Sequence, residues 1–155
     1  MTARAARPSV PGAPQGQRHR AREAAVQMLY QWEIGRLSMA EVRQTFWSHD
    51  DEAGHPLSAD MRTFAMRLAD GVVSTVDQLD PMIAAAAEHW RVERMNVTDR
   101  LILRLAVYEF LHEPETHVKV IINEALELAR SFSGDEAVRF INGILDGIRR
   151  TIGRE

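Results

Sequence analysis

The apolar positions of this 155-residue chain recur at helical spacing along most of its length. From Arg18 to about Ile34, residues Ala25, Met28, Leu29 and Trp32 fall at i, i+3, i+4 and i+7, the stripe of an amphipathic helix. Gly35 is the expected stop. A second helix is predicted from Ser38, an N-cap with Glu41 three residues on, and its pattern fades at "SHDDEAGHP". Ser58 caps a third, whose stripe is Met61, Phe64, Ala65, Leu68, Val72, Val76 and Leu79. Asp80-Pro81 has the form of an N-cap followed by proline at the first helical position, opening a short alanine-rich helix to about Trp90.

The next segment is the expected centre of the fold. In "LILRLAVYEFL", Leu101–Leu111, nine of eleven residues are apolar and only Arg104 and Glu109 interrupt them. A helix apolar on nearly every side is surrounded by protein. A buried strand is the alternative for so short a run, but its leucine-rich, unpunctuated character favours helix. Pro114 breaks the chain. A sixth helix places Val118, Ile122, Ala125, Ala129 and Phe132 on one face, and Ser133-Gly134 ends it. A seventh runs from Asp135 with Ile141, Ile144, Leu145, Ile148 and Ile152 inward. Gly143 inside that helix costs about 1 kcal/mol against alanine, so a close helix crossing is expected there. Nothing alternates with period two over strand length. The pattern predicts an all-α fold of about seven helices with short connections.

Charge sharpens this picture at two places. Arg104 and Glu109 lie in the apolar helix, where an unpaired ion is very costly, so a buried polar lock is expected. Glu109 or Glu124 is the expected partner of Arg104. The second place is the N-terminus. Residues 1–22 hold five arginines and no acidic residue, while the whole chain has a net charge of −3. With three prolines and two glycines, residues 1–16 are expected to be a disordered basic arm, and 17–155 one helical domain. Trp32, Trp90 and Tyr30 lie on or beside apolar stripes, as core or interface aromatics do.

Candidate chemistry is mostly excluded. There is no cysteine, hence no disulfide, thiolate metal site or cysteine nucleophile. Glu109–His112 and Glu52–His55 share the Glu-x-x-His spacing of di-iron bundles. The second contains Gly54 and precedes Pro56, and His112 abuts Pro114, so both are expected to be surface histidines beside carboxylates. No phosphate loop or hydrolase elbow occurs. No metal, cofactor or catalysis is expected. With no membrane-length apolar run and no secretory signal, the expectation is a soluble cytoplasmic protein.

One stretch resists a structural explanation. "QRHRAREAAVQMLYQWE" puts Arg18, His19, Arg20 and Arg22 at the positive end of a helix macrodipole, where acidic residues belong. Arg18 and Arg22 share a face and Arg20 stands to one side. Arginines beside exposed backbone N–H groups suit phosphate, so polyanion binding, nucleic acid first, is expected. Because the charge opposes the dipole, replacing all three arginines with glutamine is expected to leave thermal stability level or slightly raised.

Three segments together resemble the family of the transcription antitermination factor NusB. "RHRAREAAVQMLYQWE" is similar to the family's opening helix, "DRLILRLAVYEFL" to its central helix, and "VIINEALELARSFSGDEAVRFINGILD" to its two last, in matching order over about residues 17–150. The resemblance implies two packed three-helix subdomains with an extra helix, and no enzyme activity. It implies binding to the boxA element of ribosomal RNA leaders as single-stranded RNA, jointly with ribosomal protein S10 acting as NusE. By resemblance, the RNA-binding residues are Arg18, His19, Arg20 and Arg22 with Arg139 and the base-stacking Phe140. His19 replaces a family arginine and is expected to be mostly neutral near pH 7. Tyr30, Asp99 and Arg100 lie where the family binds S10. The implied assembly is an RNA polymerase antitermination complex, with the chain itself a monomer or homodimer. The fold also serves as the N-terminal domain of ribosomal RNA cytosine methyltransferases, whose cysteine nucleophile this chain lacks.

Overall fold

Every residue from Arg100 to Phe110 is buried in the computed structural model, both charged interruptions included. The structure describes residues 15–48, 56–88 and 90–154. They form six α-helices: α1 Gln15–Glu33, α2 Met39–Thr45, α3 Ala59–Ala87, α4 Val97–His112, α5 Val118–Phe132 and α6 Asp135–Ile152, with a 3₁₀ turn at Val92–Arg94. No strand occurs among the described residues. Helices α1–α3 make one three-helix unit and α4–α6 the other. Helix α4 joins them, packing on α1 and α3 as well as on α5 and α6. Its apolar surface on all sides is the sequence cause of that position.

The expected fourth helix, opening at Asp80-Pro81, is absorbed into α3, so six helices stand where about seven were expected. That helix runs through Pro81 without ending and instead kinks at Thr75 (φ −123°, ψ 15°), whose hydroxyl donates to the Gly71 carbonyl at 2.6 Å. Asp80-Pro81 therefore lies within a helix, not at a new N-terminus. The caps at Ser38 and Ser58 form as expected, each hydroxyl accepting the backbone N–H three residues on. Helix α1 begins at Gln15, earlier than Arg18, and the rest of the N-terminal arm lies outside the described residues. So does Glu52–His55.

Two further expectations change and a third is narrowed to one of its alternatives. A Cβ at Gly143 would meet nothing within 4 Å, so no helix crosses there. Gly143 faces outward, opposite buried Ile141, Ile144, Leu145 and Ile148. The close approach is instead at Gly71, where a Cβ would lie 2.2 Å from the Tyr108 ring of α4. On α5 the buried stripe includes Ile121 and Leu128, leaving Ile122 half-buried and Phe132 exposed. Trp32 is half-buried, but Tyr30 and Trp90 are exposed and are not core.

Ion pairs fix how α1 lies on α4. Near the start of α1, Arg22 donates through Nε and Nη2 to both oxygens of Glu109, near the end of α4, at 2.9 and 2.8 Å. At the end of α1, Glu33 accepts from Arg100, near the start of α4, and from Arg104, at its middle. The helices are thereby held antiparallel in one register. Arg104 is buried as expected, but its partners are Asp80, a two-pronged contact at 2.8 Å, and Glu33 at 3.1 Å. Neither Glu109 nor Glu124 reaches it. Residues 104 and 109 are five apart, about 140° around a helix, so each faces a different neighbour and needs its own counter-ion.

The far end of α4 has a separate clasp. Arg154 donates to the carbonyls of Glu109, Phe110, Pro114 and Thr116, the last two in the turn that follows. Carbonyls at a helix C-terminus lack intrahelical partners and favour a cation.

Candidate nucleic-acid interface

Helix α1 carries no acidic residue in its first turn, so no carboxylate there offsets the basic side chains that follow. The four basic residues then diverge according to the helical wheel. Arg18 and Arg22, one turn apart, both lie over Phe64 of α3, with guanidinium carbons 5.3 and 5.4 Å from the ring centroid. Arg22 is only 2% exposed and is spent on Glu109, with Glu124 a further 3.8 Å contact. Arg18 is exposed and has no carboxylate partner among the described residues. Arg20 points to another side, into a groove it shares with Glu23, Gln27, Phe46 and Trp47; its charge helps hold Glu23 low, but it forms no ion pair among the described residues.

His19 turns out to be a cation. Its Nδ1 lies 2.9 Å from Glu124 and its Nε2 3.4 Å from Glu23. Hydrogen bonds to these carboxylates, Glu124 first, push its pKa up to about 10, overcoming the opposing effect of burial. The imidazolium in turn holds Glu23 below the usual carboxylate range. His19 is therefore protonated at neutral pH, against the expectation, because Glu124 of α5 joins Glu23, one helical turn on, in facing the ring. Its charge is used inside the protein, and so is that of Arg22. The surplus positive charge at this end is Arg18 and Arg20.

The remaining candidates sit about 15 Å further along α4, the rise between Glu109 and Asp99. Phe140 packs its half-buried ring edge-on against exposed Trp90, with centroids 5.7 Å apart. Both line a groove of about 450 Å³ with Met95, Asn96, Asp99 and Ser133. Asp99 accepts the Ser133 hydroxyl at 2.9 Å, and burial pushes its carboxyl pKa up. Arg139 is exposed beside Phe140. Thus Phe140 shares a groove with Asp99 and not with Arg18. Tyr30 lies in a neighbouring groove of about 440 Å³ with Val26, Phe46, Thr98 and Phe132. Arg100 turns inward to Glu33 and to the carbonyls of Val92 and Met95.

Phe64 and Arg67 escape sequence reasoning. Phe64 looks like one more member of an apolar stripe, and nothing in α3 marks it as the floor of an arginine cluster. Glu109 is no surface ligand beside His112; it is the buried partner of Arg22, and His112 meets Gln78 instead. No group of residues able to hold a metal is found among those described. No helix there is long and apolar enough to cross a membrane.

The NusB family model matches residues 19–150. The chain belongs to the NusB family. It is 43% identical over 140 residues to the transcription antitermination protein NusB of Koribacter versatilis, covering 90% of this chain and 93% of that one. Among solved structures it is similar to T. maritima NusB, with a TM-score of 0.77 at 29% identity over 92% of this chain and 93% of that one. It also matches a chain in a structure of the antitermination factors NusB and NusE in complex with dsRNA. The TM-score there is 0.76 at 23% identity, covering 88% of this chain and 98% of the other, a likeness of fold. The NusB fold expected from the three motifs is the one observed, with α4 as its shared centre.

Proposed function

We propose that this NusB-family chain is a non-catalytic RNA-binding adaptor in transcription antitermination. It binds single-stranded boxA-type RNA together with ribosomal protein S10 (NusE), within complexes that transcribe ribosomal RNA. The observation that carries the reading is the surplus of positive charge at the start of α1, where Arg18 and Arg20 form no ion pair among the described residues. Phosphate is the ligand such a helix end suits. Relatives named for antitermination and a fold neighbour solved with NusE and RNA support the same reading.

In this reading Arg18 and Arg20 contact phosphates. His19 and Arg22 belong to the same segment but act by holding it, through Glu124 and Glu109. Phe140, with exposed Arg139 beside it, offers a ring to a base further along the strand, as single-stranded RNA recognition by aromatic and arginine side chains requires. Tyr30 and Asp99 offer surface to S10, and Arg100 supports that surface from within. Because Asp99 and Phe140 share one groove, RNA and S10 meet there, and their binding should be coupled. The test is titration of a boxA RNA with the chain, with and without S10. Tighter RNA binding in the presence of S10 is expected; identical affinity for boxA and a scrambled RNA under both conditions would refute the adaptor reading.

A further inference from the structure

Phe64 is an unusual core residue. Its ring is 4% exposed, yet three guanidinium carbons stand within 5.1–5.4 Å of its centroid, those of Arg18, Arg22 and Arg67. A ring face attracts cations through its quadrupole, most strongly where water is excluded. Two of the three arginines are pinned independently. Arg22 forks onto Glu109, and Arg67 forks onto Glu113 at 3.1 and 2.9 Å. Arg18 has no such anchor among the described residues, so the ring is what restrains its guanidinium there.

We propose that Phe64 is a positioning residue of the RNA site: its ring holds the Arg18 guanidinium at the start of α1, ready for a phosphate. The inference rests on the RNA-binding reading of Arg18 given above. Carboxylates would hold an arginine equally well but would cancel the charge a phosphate needs. An aromatic face restrains it and leaves the charge intact. Holding a flexible side chain in its bound position before the ligand arrives raises affinity by reducing the ordering left to do.

The distinguishing experiment is a double-mutant cycle on RNA affinity in the full chain, with a short single-stranded boxA oligonucleotide as probe. Phe64→Leu keeps an apolar side chain and removes the ring; Arg18→Gln removes the charge. The expected result is that Phe64→Leu weakens binding about threefold to fivefold in the wild-type background and less than about twofold in the Arg18→Gln background. Pentafluorophenylalanine at position 64, which keeps the ring's shape and reverses its quadrupole, should weaken binding likewise even if the leucine variant folds poorly. Equal weakening in both backgrounds, or none with the fluorinated ring, would overturn the platform while leaving Arg18 bound to phosphate. If Arg18→Gln itself binds RNA like wild type, the arginine reading fails and this inference fails with it.

Discussion

The two ends of α1 are tied to α4 by the same kind of contact but differ in what is left over. At the C-terminal end, the cations belong to α4. Arg100 and Arg104 are met by Glu33 and Asp80, so two positive groups face two negative ones. At the N-terminal end, the cations belong to α1, and carboxylates from three helices take up only part of them. Glu109 holds Arg22, while Glu124 and Glu23 hold His19; Arg18 and Arg20 remain. A closed ion cluster is a fastening, and its ions are hidden from a ligand. An open one, at a helix N-terminus, is both fastening and receptor. Two of the four basic residues there fasten the helix, and in the proposed function the other two are the receptor.

The largest expected effect lies at the buried pair of the N-terminal end. Arg22 and Glu109 are each 2% exposed, so Glu109→Gln leaves a buried guanidinium with only the more distant Glu124, which His19 already shares. The expected loss is about 3–5 kcal/mol of unfolding free energy in denaturant titration. Replacing both partners with apolar residues of similar volume should recover most of it. Arg104→Met, at the other end, leaves Glu33 still paired with Arg100 and Asp80 partly hydrated. There we expect about 1–3 kcal/mol, and no change in RNA binding. A larger loss at Arg104 than at Glu109 would reverse the ranking of the two clusters.

How much of this is legible in the sequence follows from what the helical period encodes. The period is local, so Leu101–Leu111 announces α4 and its burial, and the serine caps announce α2 and α3. The same period says that Arg104 must be paired but not with whom, because Asp80 and Glu33 reach it from α3 and α1. Pro81 reads as a helix start because its local signal is the same there and within a kinked helix. The N-terminal arginines are legible as a group only. That Arg22 is structural depends on Glu109 and Phe64 facing it across two other helices. Consequently a triple replacement of Arg18, Arg20 and Arg22 should destabilise the fold, contrary to what dipole reasoning alone predicts.

A pH titration sharpens the N-terminal end more gently. His19 has its pKa raised from the ordinary 6.5 to about 10 by Glu124 and Glu23. A group whose folded pKa lies above its unfolded one stabilises fully below the unfolded value, and loses that contribution as pH rises through the folded one. Stability should therefore decline from about pH 6.5 toward pH 10, and His19→Gln should flatten this decline. An unchanged alkaline slope in His19→Gln, followed by thermal melting, would show that the imidazolium is not held by these carboxylates.

In the proposed function Arg18 and Arg20 are surplus to the fold and present for RNA, which is tested by the variant carrying both Arg18→Gln and Arg20→Gln with Arg22 left intact. Its melting temperature should stay close to that of the wild type, since the charge relieved at the positive end of α1 offsets the lost contact between Arg18 and Phe64. Affinity for single-stranded boxA RNA, measured over a series of salt concentrations, should fall. The slope of log K against log salt should become shallower by about 1.4, roughly 0.7 for each phosphate that is no longer neutralised. Wild-type affinity with a wild-type salt slope would contradict the claim, and the two arginines would then be solvated charge on a helix end.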